Sequence, residues 1–416
     1  MNDVVNLLVV GAGQRGARYA RMAADTGRAR IVAVAEADPA RRKAFAEEFA
    51  IPDERVFDGW ERLRDVPKLA DGAIVATQDT HHVGPAVLLA GQGYHLLLEK
   101  PMAPTEAGAT TIAEAVRRAG VMAAVCHVLR YTPYTAALKE LLDAGRIGRL
   151  VSIQHLEPVG WWHQAHSFVR GNWRREDESS PMLLAKACHD VDWLLYLAGR
   201  PARRVSSFGG LAHFRADQRP EGAAERCLDC GIEPTCPYSA PRLYLGVLAG
   251  LDPADRAPWP ASVLTPLADP VALVEALRYG PYGRCVYACD NDVVDHQVVS
   301  MELADGATVS LTMTAFAPAE QRKTRLFGTH GYIDGDGARL RVVDFRTGED
   351  DVIDLGRSVS GDHSDGDAGL VHAFVAAVAA GDAGLLRSDV TESLDGHRVV
   401  WAAEEARRTG TVVTLT

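Results

Sequence analysis

Across 416 residues no apolar run approaches the roughly 20 needed to cross a bilayer. No block of Lys and Arg is long enough to offset a formal net charge of −11, which repels a phosphate backbone. Membrane and nucleic-acid partners are therefore both excluded as expectations. The short run Val4 to Val10 has no basic residue ahead of it and opens into glycines, which argues against a secretory signal and for a cytoplasmic protein. The chain also lacks internal repeats and low-complexity tracts. Cysteine is sparse and odd in number, seven in all; in a reducing compartment such a count favours free thiols or a metal over disulfides. What is abundant is apolar material, 47% of residues, enough at this length for two domains with real cores.

The first 125 residues alternate aliphatic strands with helical patterns. Val5 to Val10 precedes Gly11-Ala12-Gly13-Gln14-Arg15-Gly16, a helix over 17–26 follows, and Ile31 to Ala35 ends in Glu36. Helices over 39–49, 82–92 and 105–118 alternate with strands over 72–77, 94–98 and 121–125. Strands aliphatic on both faces predict a buried parallel sheet, so residues 1–125 read as a doubly wound α/β (Rossmann) domain. From residue 126 to 416 the pattern predicts a second α/β domain on an open, mostly antiparallel sheet. It includes a helix over 133–144, a strand over 150–156, a hairpin around Ala304-Asp305-Gly306, strands over 324–344 and closing helices over 368–380 and 388–409. Residues 215–285, rich in Pro and Gly, read as an insertion with little core of its own.

Gly11, Gly13 and Gly16 are spaced for a tight turn, a close backbone approach to pyrophosphate, and close helix-to-strand packing. Gln14 and Arg15 lie within this loop, with Arg15 placed either to approach the phosphates or to stay in solvent. Glu36, 20 residues past Gly16, is set to accept the adenosine ribose diol and to repel a 2′-phosphate, which predicts NAD(H) over NADP(H).

With Thr77-Gln78-Asp79-Thr80-His81-His82, Leu98-Glu99-Lys100-Pro101, Arg130-Tyr131, Gly145-Arg146-Ile147-Gly148 and His189-Asp190-Val191-Asp192, the sequence resembles the Gfo/Idh/MocA oxidoreductases. The family includes glucose-fructose oxidoreductase and inositol dehydrogenase. The resemblance implies that Lys100, at the carboxyl edge of the sheet, bonds the reacting hydroxyl or carbonyl, and that His189 is the acid/base. Thr77, Asp79 and His82 are expected along the nicotinamide ribose, with His82 alternatively capping the following helix, and Glu99 against cofactor ribose or amide groups. The family's aspartate four residues before the histidine is replaced here by Ala185. Lys186, His189 and Asp192, spaced three apart, are instead expected to share a helix face as a coupled set.

Residues 157–175 are dense in Trp, His and Arg. Trp161, Trp162, His163, His166, Arg170, Trp173 and Arg174 are substrate-loop candidates, because indole faces stack on sugar C–H faces while Arg and His address hydroxyls or an anionic substituent. The alternative for this loop is an interdomain or oligomer contact. Tyr131 is a further candidate hydroxyl partner.

The expected activity is NAD(H)-dependent oxidation or reduction of a secondary hydroxyl on a sugar, glycoside or cyclic polyol by a homo-oligomer. One alternative is an NAD-dependent glycosidase working by transient ring oxidation, elimination, water addition and re-reduction. A non-catalytic sugar or nucleotide sensor is another. Cys227, Cys230 and Cys236, with Cys285 as fourth ligand and Cys289 or His213 as its alternatives, are candidates for a structural Zn2+; free buried thiols are the competing reading.

Overall fold

The computed structural model describes residues 4–356 and 364–415. Its first half follows the predicted alternation: β1 (Val5–Val10), α1 (Gln14–Asp25), β2 (Ala29–Ala35), α2 (Pro39–Glu48), β3 (Val56–Phe57), β4 (Gly72–Val75), α3 (Val83–Gly91), β5 (His95–Leu98), α4 (Glu106–Ala119) and β6 (Ala123–Val125). The strands form one sheet in the order β3-β2-β1-β4-β5-β6, with every neighbouring pair parallel. Leu7, Leu8 and Val9 are all fully buried because helices cover both faces. Strand order reverses between β1 and β4, and the crevice outside the carboxyl ends of the strands at this switch is where ligands bind such sheets.

The second sheet has nine strands, preceded and interrupted by α5 (Pro133–Asp143), α6 (Trp161–His163), α7 (Met182–Ala185), α8 (Cys188–Ala198), α9 (Ala240–Gly246) and α10 (Pro270–Tyr279). Its strands are β7 (Leu150–Pro158), β8 (Ala202–Gly210), β9 (His296–Leu303), β10 (Thr308–Thr314), β11 (Lys323–Gly328), β12 (Gly331–Gly335), β13 (Arg339–Asp344), β14 (Asp350–Asp354) and β15 (Val413–Thr414). The order is β14-β13-β12-β11-β7-β10-β9-β8-β15, with β7 and β10 parallel and every other pair antiparallel. The Asp305-Gly306 turn forms as expected, with Gly306 at φ +87°. One face of the sheet packs on α8 and α12 (Val390–Thr409).

The chain then returns to the first sheet. Helix α11 (Ser364–Ala380) places Leu370, Val371, Phe374 and Val375 in the same core as Leu7, Val9 and Leu97. The insertion is more ordered than expected: α9 and α10 enclose Tyr244, Leu248, Leu273 and Leu277 in a small core of their own. Among the described residues no helix is long and apolar enough to cross a membrane.

Candidate active site

The glycine loop joins β1 to α1 in the predicted geometry. Gly11 has φ +88°, and a Cβ there would lie 2.6 Å from the Ala76 carbonyl oxygen; a Cβ on Gly16 would meet the Gly11 carbonyl oxygen at 2.0 Å. Gly13 has open space on its Cβ side, and as N-cap of α1 it leaves the first-turn amides without a side-chain cap. Glu36 is buried at the end of β2, where its carboxylate accepts from Ala12 N at 2.7 Å and Asp38 N at 2.8 Å. The buried Thr77 hydroxyl has no hydrogen-bond partner. Open glycine, uncapped amides, a carboxylate one loop away and an orphaned hydroxyl on the crevice edge together fit a dinucleotide.

Two expected cofactor contacts are corrected. Arg15 does not reach toward phosphates: its guanidinium donates to Glu99 and to Asp367, each at 2.6 Å, and lies over the Tyr19 ring. Glu99 is correspondingly tied up, accepting from Arg15, from Tyr19 at 2.9 Å and from Lys100 N at 2.7 Å. Burial alone would raise the Glu99 carboxyl, but the Arg15 and Lys100 charges outweigh it and hold the group below the usual range. Glu99 thus anchors the strand end that presents Lys100. Tyr19, one turn from Arg15, was within reach of sequence reasoning, whereas Asp367 enters only through the return of α11.

His82 does not cap α3 with its side chain. Its buried ring lies between two carbonyl oxygens, Nδ1 2.8 Å from Pro101 O and Nε2 3.1 Å from Thr77 O, and so links the loops after β4 and β5. Asp79, also buried, accepts from Trp173 Nε1 at 3.1 Å. That bond carries the substrate loop onto the cofactor side of the crevice.

Lys100 Nζ donates to the Ala185 carbonyl oxygen at 2.6 Å, one residue before Lys186. The coupled set Lys186, His189 and Asp192 does not form. Helix α7 ends at Ala185 and α8 begins at Cys188, so Lys186 shares no helix face with the other two. Its ammonium pairs with Glu157 at 3.1 Å, and Glu157 also pairs with Arg322 at 2.9 Å. Asp192 is buried and held by Arg130 through two bonds of 2.8 Å. Behind His189 lie two histidines that sequence reading did not single out. His127 meets the His189 ring edge-on at 5.7 Å and the His397 ring at 5.5 Å. Burial, then the Arg130 and Lys100 charges, hold His127 far below the usual imidazole range and therefore neutral.

In the candidate substrate loop, α6 runs into a π-helix, Gln164–Arg170, all seven of whose residues are buried. This geometry is frequent at functional sites. Trp161 and Trp173 are partly exposed, while Trp162 and His163 pack on Trp259 at 5.1 and 5.2 Å. Trp259 comes from the insertion, and its partners could not be read from local spacing. Four other candidates are committed to partners inside the protein or at its surface, although the His166 ring also meets Trp259 edge-on at 5.4 Å. His166 is buried with Nδ1 2.7 Å from the Tyr244 hydroxyl, its basicity pushed down to about 4 by burial and Arg170. The Tyr131 hydroxyl is buried against Ser388 at 3.0 Å. Arg170 is buried and donates to the Arg284 and Tyr238 carbonyls, and Arg174 pairs with Glu178 and Asp290 at the surface. Both arginines are thus committed to partners within the chain.

Cys227, Cys230, Cys236 and Cys285 line one small cavity. Among the described residues no group of three or more His, Cys, Asp or Glu is placed to hold a metal ion, and all seven cysteines are free. Neither alternative fourth ligand lines the cavity: Cys289 Sγ lies 3.3 Å from Cys285 O, and His213 bonds the Tyr287 hydroxyl at 3.0 Å.

Residues 5–127 match the model of an oxidoreductase family, NAD-binding Rossmann fold, and residues 139–415 that of the same family's C-terminal alpha/beta domain. The chain is similar to inositol 2-dehydrogenase of Streptomyces avermitilis, 33% identical over 50% of this chain and 57% of that protein. It is similar also to 2,7-anhydro-N-acetylneuraminate hydratase of Escherichia coli, 28% identical over 50% of this chain and 54% of that one. The matches thus span little more than half the length of these two relatives. The fold as a whole is that of levoglucosan dehydrogenase solved with NADH and levoglucosan, with a TM-score of 0.69 at 18% identity over 99% of both chains.

Proposed function

The chain belongs to the Gfo/Idh/MocA oxidoreductase family, and we propose that it oxidises or reduces a secondary hydroxyl of a sugar, glycoside or cyclic polyol with NAD(H). The observation that carries this reading is the Lys100 ammonium, fixed on the Ala185 carbonyl at the carboxyl edge of β5. There it can donate to the oxygen of the reacting carbon, as an alcohol or as a carbonyl.

When bound, NAD supplies the hydride acceptor. The Gly11 to Gly16 loop would hold its pyrophosphate, Glu36 its adenosine ribose, and Thr77 and Asp79 the nicotinamide side. His189 takes the hydroxyl proton as hydride leaves the carbon, the role the family resemblance implies for it. Neutral His127 at its edge keeps a second positive charge away from that ring. Lys186, paired with Glu157, provides a second ammonium for the hydroxyls flanking the reacting carbon. The exposed Trp161 and Trp173 offer ring faces to the apolar side of a cyclic polyol, beside the Trp162, His163 and Trp259 cluster, which agrees with the inositol 2-dehydrogenase likeness.

A redox-neutral second reading, glycoside cleavage through transient oxidation, draws on the hydratase relative and on Lys186 as an added proton donor near Lys100. We further propose a cytoplasmic homo-oligomer assembled through the second sheet, where Phe208 and Val352 are exposed.

The test is incubation with NAD and a panel of cyclic polyols, free sugars and aryl glycosides, following reduced nicotinamide and aglycone together. Stoichiometric NADH supports the dehydrogenase. Aglycone without net NADH supports the second reading, and silence on every substrate in both channels overturns catalysis in favour of a sensor.

A further inference from the structure

The cavity lined by Cys227, Cys230, Cys236 and Cys285 has a volume of about 20 Å³ and lies at the neck of the insertion. The outgoing and returning chains pair there, with Cys285 N donating to Glu225 O at 2.9 Å and Arg226 bridged to Arg284. Arg170 reaches the same cavity from the π-helix. Its guanidinium is 2% exposed, with Nε on Arg284 O at 2.8 Å and Nη2 on Tyr238 O at 2.8 Å and 3.6 Å from Cys227 Sγ. Nη1 is buried without a partner, and no carboxylate among the described residues pairs with this charge. Glu233, on the cavity wall, accepts from the Ser239 hydroxyl instead. A buried guanidinium lacking an anion is strongly disfavoured unless something supplies the negative charge.

We propose that these four cysteines form a structural zinc site whose net charge is the counter-ion of Arg170. Each thiol gives up its proton to solvent as its sulfur closes on the ion, with no oxidant or reductant involved. Four thiolates around one dication carry two net negative charges, and their sulfurs accept hydrogen bonds from the guanidinium. The sulfurs line a common space but are not placed to hold a metal ion as they stand, so binding requires the neck to close on it. Four protein ligands leave no open position, which makes the site structural and not catalytic.

The consequence reaches the crevice through the insertion. Beyond the neck, Trp259 covers Trp162 and His163, and Ser262 accepts from Gln14 Nε2 in the glycine loop at 2.9 Å. The metal therefore fixes the base of a roof that touches both the substrate loop and the cofactor loop.

Elemental analysis of the reduced, purified protein should find about one zinc per chain. C230S and C236S should each lose it while C289S keeps it, and replacement by cobalt should give the visible absorption of a tetrahedral thiolate complex. R170Q should release zinc to a chelating dye roughly tenfold faster, since a charge-assisted bond to the centre is gone. Metal-free reduced protein with native circular dichroism would overturn the site. So would metal retained in C230S, or a disulfide between two of the four cysteines in the intact mass. An unchanged release rate in R170Q would overturn the counter-ion role. None of these readouts depends on enzymatic turnover, and the wild-type metal content and cobalt spectrum stand even where a variant fails to fold.

Discussion

Lys100 and Ala185 are joined by a 2.6 Å hydrogen bond from the ammonium to the backbone carbonyl oxygen, and that bond ties the first sheet to the segment bearing Lys186 and His189. A carbonyl oxygen takes no proton near neutral pH, so it orients the ammonium without competing as a base. The contact is to backbone, so it does not depend on the side chain at position 185. It also leaves His189 as the proton acceptor in the proposed reaction.

Glu36→Gln keeps the shape of the side chain and removes its charge. Hydrogen bonds to a charged group contribute about 1.5–3 kcal/mol, so NAD should bind roughly tenfold more weakly or worse. The repulsion of a 2′-phosphate should fall at the same time. Parallel fluorescence titrations with NAD and NADP measure both effects; an unchanged ratio of the two affinities would contradict the assignment.

Trp173→Phe retains the ring and deletes the N–H that bonds Asp79 at 3.1 Å. The loop should then sit less firmly on the crevice, with kcat/KM lowered by roughly tenfold, the equivalent of one bond to a charged acceptor. Steady-state kinetics with a fixed substrate decide it, and a change below twofold would show that the bond has no part in seating the loop for catalysis.

His397 links the proposed site to acid stability. Its Nδ1 lies 2.6 Å from Ser393 O and its Nε2 accepts from Met102 N at 3.1 Å, a pattern only the neutral ring completes. Burial first, and then His127, push its basicity down to about 3, whereas the unfolded imidazole titrates near about 6.5. Because the folded value is depressed, the stability this ring contributes is complete above about pH 6.5 and lost as pH falls toward 3. The slope is about 1.4 kcal/mol per pH unit in that window. Urea unfolding of wild type and His397→Gln between pH 7 and roughly 4.5 should show a shallower decline in the variant. Equal slopes would exclude His397 as a source of acid lability.

What was legible in the sequence is what the backbone encodes locally. The glycine loop, Glu36 at the end of β2 and Lys100 at the end of β5 each follow from a strand and the turn beside it, and these fell in the expected places. The Lys186, His189 and Asp192 set failed because one helix was assumed where two abut, and Lys186-Ala187 contains neither glycine nor proline to mark the break. His166 and Arg170 were singled out by residue type alone, and residue type does not announce a π-helix that buries all seven of its residues. Asp367, Trp259 and Ser262 lie far along the chain from Arg15, Trp162 and Gln14. Only the return of α11 and the path of the insertion bring them together.

The most direct test of the redox reading is Lys100→Ala assayed on a substrate identified with the wild-type enzyme, with NAD affinity measured alongside. Loss of a positioned proton-transfer partner should lower kcat by about 10²–10⁴-fold while NAD binds as before. A variant that turns over at the wild-type rate would contradict the account.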